Sequence, residues 1–490
     1  MEQYKDIIKQ TGLVYLVKFA DFALTFFLFI TLTRLLSQSE FGIYSILSVT
    51  LLFIVSFLDL GVLAFSVKSL TGKSDRIIRE SFSKIFTFVL LVVIASNIIM
   101  IPAGYFILKF YGYSDLFYLT ILIIMSSDII ILGNLLSNYM VIYKKTGIAK
   151  FIEFLIMTFW AFPLMLIAFF YINVTVIFIT KFIASLLIFT GIIVFFKLKE
   201  IKFFGPFDWD YIKQVLIFGL PLTTLVISNG VIGAADRYLL GFFHSSIIVA
   251  EYAYIYTILN IIFVFVIATL DVIFFPFVAE AHNQNKKSKS NFLLNGMLKY
   301  SLIITIPALV GFYILSTEII TMISGDKYIS AIGIIPFLIM FPLAQCFIVT
   351  FMRRLQLEHR TKSIAIAYFI GMVLNLALNF LLIPKYYTTG AGIATSITYT
   401  AIVLMLYLYT RKHIQFDYNY LKIGGIIIST IVMALSIMFI HPGNIVSKIF
   451  TVILGAAVYL AGLFVTNTFV KEEKELFYFH FLKIFKRKAN

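Results

Sequence analysis

Charged and polar side chains inside long apolar runs are the residues of this chain that could do chemistry. Lys18 and Asp21 lie three positions apart, so on a helix they share one face. An unpaired charge in hydrocarbon costs at least about 2.5 to 3.5 kcal/mol, so these groups should face protein or water. There an ammonium group could bind an anion, and a carboxylate could take up a small cation. Seven further residues raise the same question: Arg34, Asp59, Lys181, Asn229, Asp236, Arg237 and Asp271.

Two groups of amide side chains occur in the same kind of apolar run. One run carries Asp128, Asn134 and Asn138, and another carries Asn375 and Asn379 as an i, i+4 pair. Amides could bind the hydroxyl groups of a ligand. Hydrogen bonding between helices is the use that we favour.

Several kinds of chemistry are excluded by the motifs that the sequence lacks. It contains no phosphate-binding Walker A loop, no Gly-rich dinucleotide fingerprint and no His-Glu-x-x-His, and its six His are scattered. The lone Cys346 rules out an intrachain disulfide and a cysteine-ligated metal site. We therefore expect no enzyme, no cofactor and no metal, and any work must be driven by an ion gradient, the membrane potential or a substrate gradient.

Composition identifies the class of protein. Hydrophobic residues make up 61% of the 490 positions and charged residues only 13%, and the mean hydropathy is +1.00. A soluble chain of this length would need more polar surface, so an all-α integral membrane protein is expected. The net charge of +15 would suggest nucleic acid in a soluble protein. Here the basic residues fall in short loops between apolar runs, which membrane topology explains better.

Apolar runs bounded by charges or turn residues predict fourteen spans. Short loops on one side, together with the two ends of the chain, hold 31 of the 39 Lys and Arg residues. Both termini are therefore expected in the cytoplasm. The first run lacks a cleavage site, so we expect it to be retained as a span. The predicted spans are 11–33, 43–67, 85–107, 116–142, 151–172, 174–196, 215–241, 252–281, 300–323, 329–352, 363–384, 388–410, 423–440 and 446–469.

Short matches in the same order indicate an internal repeat. Arg34 matches Arg237 at an offset of 203 residues, and Asp59 matches Asp271 at an offset of 212. Six spans in each copy make the repeats parallel, with a binding site expected between them. This predicts one six-helix bundle at 1–200, a second at 201–410, and two extra helices with a basic cytoplasmic tail at 411–490.

Six segments resemble the polysaccharide flippases of the MOP superfamily, the Wzx-type branch that moves lipid-linked oligosaccharides across the cytoplasmic membrane. The resemblance implies a pair of six-helix bundles around a polar lumen, working by alternating access. The two extra helices favour this branch over the multidrug exporters, which usually have twelve spans. The segments are TRLLSQSEFGIYSIL after span 1, LDLG at 58–61, FGLPL and AADRYLLGFF in span 7, FFPFVAEAHNQ ending span 8, and NLALNFLLIPKYYTTGAGIATS across spans 11 and 12.

The resemblance also implies a role for the intramembrane residues nearest the lumen. Lys18, Asp21, Lys181 and Asn229 would line it, with Lys18 meeting the pyrophosphate of the substrate. The alternative for Lys18 and Asp21 is a structural ion pair, and for Lys181 it is a side chain that reaches toward the lipid headgroups.

The remaining charged residues have two interpretations each. Asp59 and Asp271 could couple transport to an H⁺ or Na⁺ gradient, or each could neutralise a neighbouring Lys or Arg. Arg34, Asp236 and Arg237 could form an outer gate of ion pairs, or the arginines could contact headgroups.

The expected partners are a polyprenyl-pyrophosphate-linked oligosaccharide and membrane lipids, without nucleic acid. A cation-coupled multidrug exporter is the first rival. A membrane polysaccharide polymerase or ligase is the second, but such chains typically carry their chemistry on a long external loop, and none is predicted here. A membrane scaffold without transport is a third rival, although this function would not explain the charged side chains within the spans.

Overall fold

The computed structural model describes residues 2–110, 114–198, 200–411, 420–440 and 443–469. These residues are overwhelmingly helical, and no β-strand occurs among them. Apolar runs fold this way because hydrocarbon cannot hydrogen-bond to the backbone, whereas a helix satisfies its own backbone groups. The predicted all-α membrane fold is confirmed. The predicted basic tail at 471–490 lies outside the described residues.

The chain forms two compact units, and the first comprises Met1–Tyr254 and Lys362–Thr398. Its core consists of buried aliphatic and aromatic side chains such as Leu51, Ile130 and Phe196. The helices in this unit are α1 (Glu2–Leu35), α2 (Gln38–Asp59), α3 (Val62–Leu70), α4 (Asp75–Phe110), α5 (Phe117–Ile142), α6 (Thr146–Met157), α7 (Ala161–Ala168), α8 (Val174–Leu198) and α9 (Trp209–Phe243), with a short 3₁₀ turn at Ser114–Leu116.

The second compact unit comprises Ile255–Thr361 and Tyr399–Asn490. A smaller core there includes Cys346, Met433 and Leu463. The helices α10 (Ser246–Phe263) and α16 (Thr361–Thr410) have residues in both units. The other helices of this unit are α11 (Thr269–Asn283), α12 (Lys287–Ile314), α13 (Ser316–Ser324), α14 (Ile335–Leu338), α15 (Met340–Leu357), α17 (Tyr420–Met438) and α18 (Ile445–Val465).

Twelve helical segments among the described residues are long and apolar enough to cross a membrane. One of them, α16, has 50 residues, which would be about 75 Å if it were straight, more than twice the thickness of the hydrocarbon. Tyr387 has φ 53° and ψ −133°, so the chain breaks there into two segments. Residues 422–438 form a shorter apolar helix. The exact count of fourteen spans stays a prediction, as do the predicted domain boundaries.

Five spans that the sequence predicts as continuous are interrupted among the described residues. The second ends at Asp59, because Leu60 and Gly61 adopt left-handed backbone conformations before α3 starts. The fifth is broken at 158–160, between α6 and α7. The eighth contains a π-helical turn at Val264–Ala268. The ninth is broken at Leu315, and the tenth is broken at Ile339 after a 3₁₀ segment at Gly325–Ile334. Such irregular turns are tolerated at membrane depth where protein or water surrounds them, and π turns are frequent at functional sites.

The break at Leu60–Gly61 is held by close packing of backbones. A Cβ atom on Gly219 would collide with the carbonyl oxygen of Leu60, and one on Gly61 would collide with Gly219. Gly61 of the segment LDLG and Gly219 of the segment FGLPL are therefore in direct contact. Gly61 also has φ 71°, a conformation that glycine adopts without strain.

The ninth span differs in position from the prediction of 300–323. The helix α12 covers Lys287–Ile314 and ends where the N–H of Leu315 bonds to the carbonyl of Gly311. Backbone hydrogen bonding does not depend on side-chain charge, so the helix extends through the basic residues at which the predicted boundary was set.

Residues 200–208, which precede α9, are attached to α4. Lys84 Nζ donates to Asp208 Oδ2 at 2.7 Å, and the backbone N–H of Gly205 donates to Thr87 Oγ1 at 3.1 Å. Asp208 also caps α9 by accepting from the N–H of Tyr211. The hydrogen bond from Lys84 holds the pKa of the Asp208 carboxyl below its usual range.

Candidate functional site: charged residues within the helices

A polar cluster forms around the break between α6 and α7. Thr158, in that break, donates a hydrogen bond to Asp21 Oδ1 of α1 at 2.5 Å. Trp160 is buried and donates its indole N–H to the carbonyl of Met157. Lys181 of α8 places its Nζ 4.7 Å from the centre of the Trp160 ring. The broken helix thus brings Asp21 and Lys181, both predicted site residues, to the same short stretch, 158–160.

This cluster can attract an anion. The face of an indole ring stabilises an ammonium group without neutralising its charge. Lys181 forms no salt bridge with any acidic residue in the described part of the chain. An ammonium group without an acidic partner among the described residues could bind an anion, and the lumen role of Lys181 stays a prediction.

The other predicted lumen residues, Lys18 and Asn229, are exposed at the surface of α1 and α9. Arg34 is exposed as well, in the last turn of α1. Exposure fits either a cavity lining or contact with lipid headgroups, so the lumen and gate roles of these residues stay predictions.

Asp236 lies at the centre of a buried network within the first unit. Only 1% of its surface is exposed. Asn379 Nδ2 donates to Asp236 Oδ1 at 2.5 Å, Thr395 Oγ1 donates to Oδ2 at 2.8 Å, and the Tyr252 hydroxyl donates to Oδ2 as well. Asn379 also donates to Asn375 Oδ1 at 3.0 Å. Side chains of α9, α10 and α16 therefore converge on one carboxylate.

Neutral donors dominate this network. They can stabilise an ionised carboxylate in low dielectric, because hydrogen bonds to a charged acceptor are the strong ones. The same carboxyl, amide and hydroxyl oxygens could instead hold a proton or a small cation. Arg237 is buried beside Asp236 and lies close enough to Tyr44 of α2 to act on it electrostatically. The favoured use of Asn379, bonding between helices, is what the structure shows.

Asp271 forms an ion pair with an arginine, as expected if it neutralises a neighbouring Lys or Arg. Arg353 of α15 donates Nε to Oδ1 at 2.7 Å and Nη2 to Oδ2 at 2.5 Å, a two-pronged ion pair. The guanidinium carbon also lies 4.3 Å from the centre of the Phe275 ring. Asp271 lies in the first turn of α11, which begins after the π turn of span 8. Its coupling role stays a prediction.

Asp59 has a different environment, at the break between α2 and α3. Its Oδ1 accepts from the N–H of Leu63 at 3.1 Å, and no salt bridge involves it among the described residues. The carboxylate therefore supports the first turn of α3. The repeat that matched Asp59 with Asp271 places both acids next to an irregular turn, but with different partners.

Sequence reasoning missed the neutral partners of these acids. Thr158, Trp160, Tyr252 and Thr395 belong to common residue types in membrane helices, and only their tertiary positions reveal the contacts. For Tyr252 the sequence offers one signal, because Glu251-Tyr252 resembles Glu40-Phe41 at a matching place in the predicted internal repeat. The signal for the break at 158–160 is Pro163, because a proline cannot donate the i to i−4 hydrogen bond of a helix.

Comparisons with known proteins agree with this architecture. A family model described as "Polysaccharide biosynthesis protein" matches residues 31–333. A relative from Haloferax volcanii, named "Probable low-salt glycan biosynthesis flippase Agl15", is 26% identical over 160 residues, 33% of this chain and 34% of the relative. The chain spans only about a third to a half of the length of the curated relatives it matches.

Solved structures establish the fold along most of the chain. The structure "Lipid II flippase MurJ, inward closed conformation" has a TM-score of 0.66 at 19% identity. The match covers 92% of this chain and 97% of the MurJ chain. An inward-facing "multidrug resistance MATE family transporter of the MOP superfamily" has a TM-score of 0.62 at 13% identity, covering 79% of this chain and 93% of its own. The chain is a multi-pass membrane protein with the fold of these transporters. Because the family model covers more than half of its length, it belongs to the polysaccharide biosynthesis protein family.

Proposed function

We propose that this protein flips lipid-linked oligosaccharides from the cytoplasmic to the outer leaflet of the cell membrane, for the synthesis of a cell-surface polysaccharide. One observation carries the proposal: a polysaccharide biosynthesis family match falls on a multi-pass membrane chain that carries charged side chains within its spans. The names of Agl15, a probable glycan biosynthesis flippase, and of MurJ, a lipid II flippase, support the same activity.

The chemistry of such a substrate explains why charged groups are needed inside the membrane. A polyprenyl-pyrophosphate oligosaccharide carries hydroxyl groups and negative charge, neither of which can be left unsatisfied in hydrocarbon. Its polyprenyl tail can remain in lipid throughout. Lys181, held over Trp160, and the exposed Lys18 are the cations proposed to meet the pyrophosphate.

Energy would come from an ion gradient, the membrane potential or the substrate gradient, because the sequence has no nucleotide-binding motif. H⁺ and Na⁺ are the proposed coupling ions. Both termini are proposed to lie in the cytoplasm, since most basic residues fall in loops on that side. The protein acts as a transporter and makes or breaks no covalent bond.

Reconstitution of the purified protein into liposomes tests this function. The probe is a fluorescent polyprenyl-pyrophosphate disaccharide, and a membrane-impermeant quencher reports the leaflet that holds it. We expect Lys181→Ala and Lys18→Ala to slow translocation at least about 10-fold, the equivalent of losing one hydrogen bond to a charged group, about 1.5 kcal/mol. Lys197→Ala is the matched control, because Lys197 is exposed in the last turn of α8. Lys181→Arg should keep most of the rate.

Two results would count against this account. Wild-type rates in Lys181→Ala and Lys18→Ala would remove both lysines from the mechanism. Wild-type protein that moves the probe no faster than empty liposomes would reject the flippase activity itself. Repeating the assay with an imposed proton or sodium gradient identifies the coupling ion.

A multidrug exporter is the second candidate, favoured by the structural likeness to the MATE transporter. It predicts efflux of a fluorescent cationic dye from cells that produce the protein. A site built around Lys181 should repel such dyes. Dye efflux that is unaffected by Lys181→Ala, without flipping of the disaccharide probe, would favour the exporter.

A further inference from the structure

The carboxyl group of Asp128, within a membrane span, accepts few hydrogen bonds. Asn97 of α4 donates its Nδ2 to Asp128 Oδ2 of α5 at 2.7 Å. The second oxygen of each group, Asp128 Oδ1 and Asn97 Oδ1, is buried and has no hydrogen-bond partner among the described residues. Both of these atoms only accept hydrogen bonds while the carboxyl is ionised, so they cannot form a hydrogen bond with each other in that state.

Asp236 and Asp271, which are buried in the described part of the chain, receive more hydrogen bonds. Asp236 receives hydrogen bonds from Asn379, Thr395 and Tyr252, and Asp271 receives two from a guanidinium group. Asp128 receives one hydrogen bond, from a neutral amide. An ionised carboxylate in an apolar region needs more than that, and a group so placed neutralises instead.

In the described parts of the surrounding helices, no charged side chain compensates Asp128. Helices α2, α3, α4, α6 and α8 and the turn Ser114–Leu116 pack against α5. Within the described residues, no charged group is close enough to act on Asp128 electrostatically. The titratable groups of these elements have contacts elsewhere or are exposed: Glu40 with Ser37, Tyr44 with Arg237, Asp59 with Leu63, Lys68 with Phe218, Arg76 with Glu80, Asp75 with Arg79, Lys84 with Asp208, Lys109 with Tyr105, Lys150 with Glu153, Lys181 with Trp160, and the exposed Asp115 and Lys197.

We propose that Asp128 is a proton-binding site, held as a neutral carboxylic acid by pairing with Asn97. One proton on Asp128 Oδ1, donated to Asn97 Oδ1, would satisfy both buried oxygens and complete a cyclic acid–amide pair. Exchanging the oxygen and nitrogen of the Asn97 amide does not remove the need, since its carbonyl oxygen would then face the carboxyl and require the same proton. The proton is taken up from water and returned to water, and no other bond changes.

This site is separate from the acids that the sequence singled out for coupling, Asp59 and Asp271. Proton binding at Asp128 does not depend on the proposed function. Its use as the coupling proton of a transporter does rest on that function. The two ideas can therefore fail separately, and the experiments keep them apart.

Infrared spectroscopy of the full chain in lipid bilayers tests the site directly, because a protonated carboxyl has a C=O band that a carboxylate lacks. We expect this band at neutral pH in the wild type and its loss in Asp128→Asn. Asp326→Asn is the control, since Asp326 is exposed in the segment Gly325–Ile334, and it should leave the band unchanged. Asn97→Leu should retain the protonated band, because it removes the one donor that the carboxylate has within the described residues.

Identical carboxyl bands in wild type and Asp128→Asn at neutral pH would overturn the proposal. Loss of the band on adding sodium at constant pH would also overturn it, because that result identifies a metal cation as the ligand. Asp128→Asn should fold, since two facing amides keep the ring of hydrogen bonds, and an unchanged melting temperature checks this. In the liposome assay, a flipping rate that no longer depends on pH in Asp128→Asn would extend the site to coupling.

Discussion

Individual acids in this membrane protein are stabilised in three different ways. Asp236 is surrounded by neutral donors, Asp271 is paired with an arginine, and Asp128 shares one hydrogen bond with an amide. The first two arrangements favour the ionised carboxylate, because donors and cations stabilise the anion, and the third favours the neutral acid, because it lacks them. Residue type alone therefore does not tell which acid moves an ion and which one holds helices together.

The Asp271–Arg353 pair should stabilise the second unit measurably. Replacing Asp271 with Ala leaves the guanidinium of Arg353 without its anion, and we expect a loss of about 2 to 3 kcal/mol, somewhat less than for a fully buried pair. Arg353 keeps 29% of its side chain exposed, which moderates the loss. Thermal unfolding in detergent measures the effect, with Asp271→Ala, Arg353→Ala and the double variant forming a cycle.

The exposed pair Arg76–Glu80 on α4 is the matched control for that cycle. Its side chains are 87% and 60% exposed, so Glu80→Ala should cost less than about 1 kcal/mol. Strictly additive effects at Asp271 and Arg353 would mean that the two residues stabilise the protein independently, against the ion pair.

At the scale of elements, interrupted helices place the polar groups. The breaks at 60–61 and 158–160 and the π turn at Val264–Ala268 each lie beside an acid or its partner. The irregular turns free backbone groups, which then need partners, and Asp59 supplies one by accepting from Leu63.

The contact between Gly219 and the Leu60–Gly61 break should tolerate no side chain. We expect Gly219→Ala to destabilise the protein by about 1 to 3 kcal/mol, because its methyl group would have to displace the backbone of Leu60. The melting temperature and the flipping rate should both fall. Gly191→Ala on α8 is the control, since nothing lies within 4 Å of the added atom there. Equal melting temperatures for the two variants would contradict the close packing.

The sequence predicted the helices better than it predicted their interruptions. Apolar runs are long and their ends carry charge, so hydropathy locates most spans. Pro163 follows the break at 158–160 and cannot donate the i to i−4 hydrogen bond to Phe159, so it predicts a bend in span 5 without fixing its exact position. The π turn lies in an apolar stretch that contains neither glycine nor proline, so it depends on packing. The partners of the acids could not be predicted either, because they are distant in sequence: Arg353 is 82 residues from Asp271 along the chain.

At the scale of the whole molecule, charge placement predicts how the chain lies in the membrane. Basic residues concentrate in alternate loops and at the ends, which favours cytoplasmic termini. The compact units of the structure are divided after residues 254, 361 and 398, whereas the predicted domain boundaries come from short sequence matches and stay a prediction. The repeat itself stays a prediction.

Cysteine labelling tests the topology, starting from Cys346→Ala because Cys346 is buried and is the only cysteine. We expect a membrane-impermeant thiol reagent to label Ser245→Cys in intact cells, since the α9–α10 loop should face outward. Gln284→Cys in the α11–α12 loop should react only after the membrane is permeabilised. Both side chains are exposed, so access through the membrane decides the result. The reverse pattern would place the termini outside.

The network around Asp236 has a consequence for the order in which the chain is made. Asn379 and Thr395 follow Asp236 by 143 and 159 residues. At ribosomal speeds of 5 to 20 residues per second, Asn379 emerges roughly 7 to 29 s after the acid. During that interval the newly inserted α9 carries an acid without its later partners, so a helper at the translocon, or a temporary proton, must shield it. Chains truncated before residue 375 should therefore be prime targets for membrane quality-control proteases.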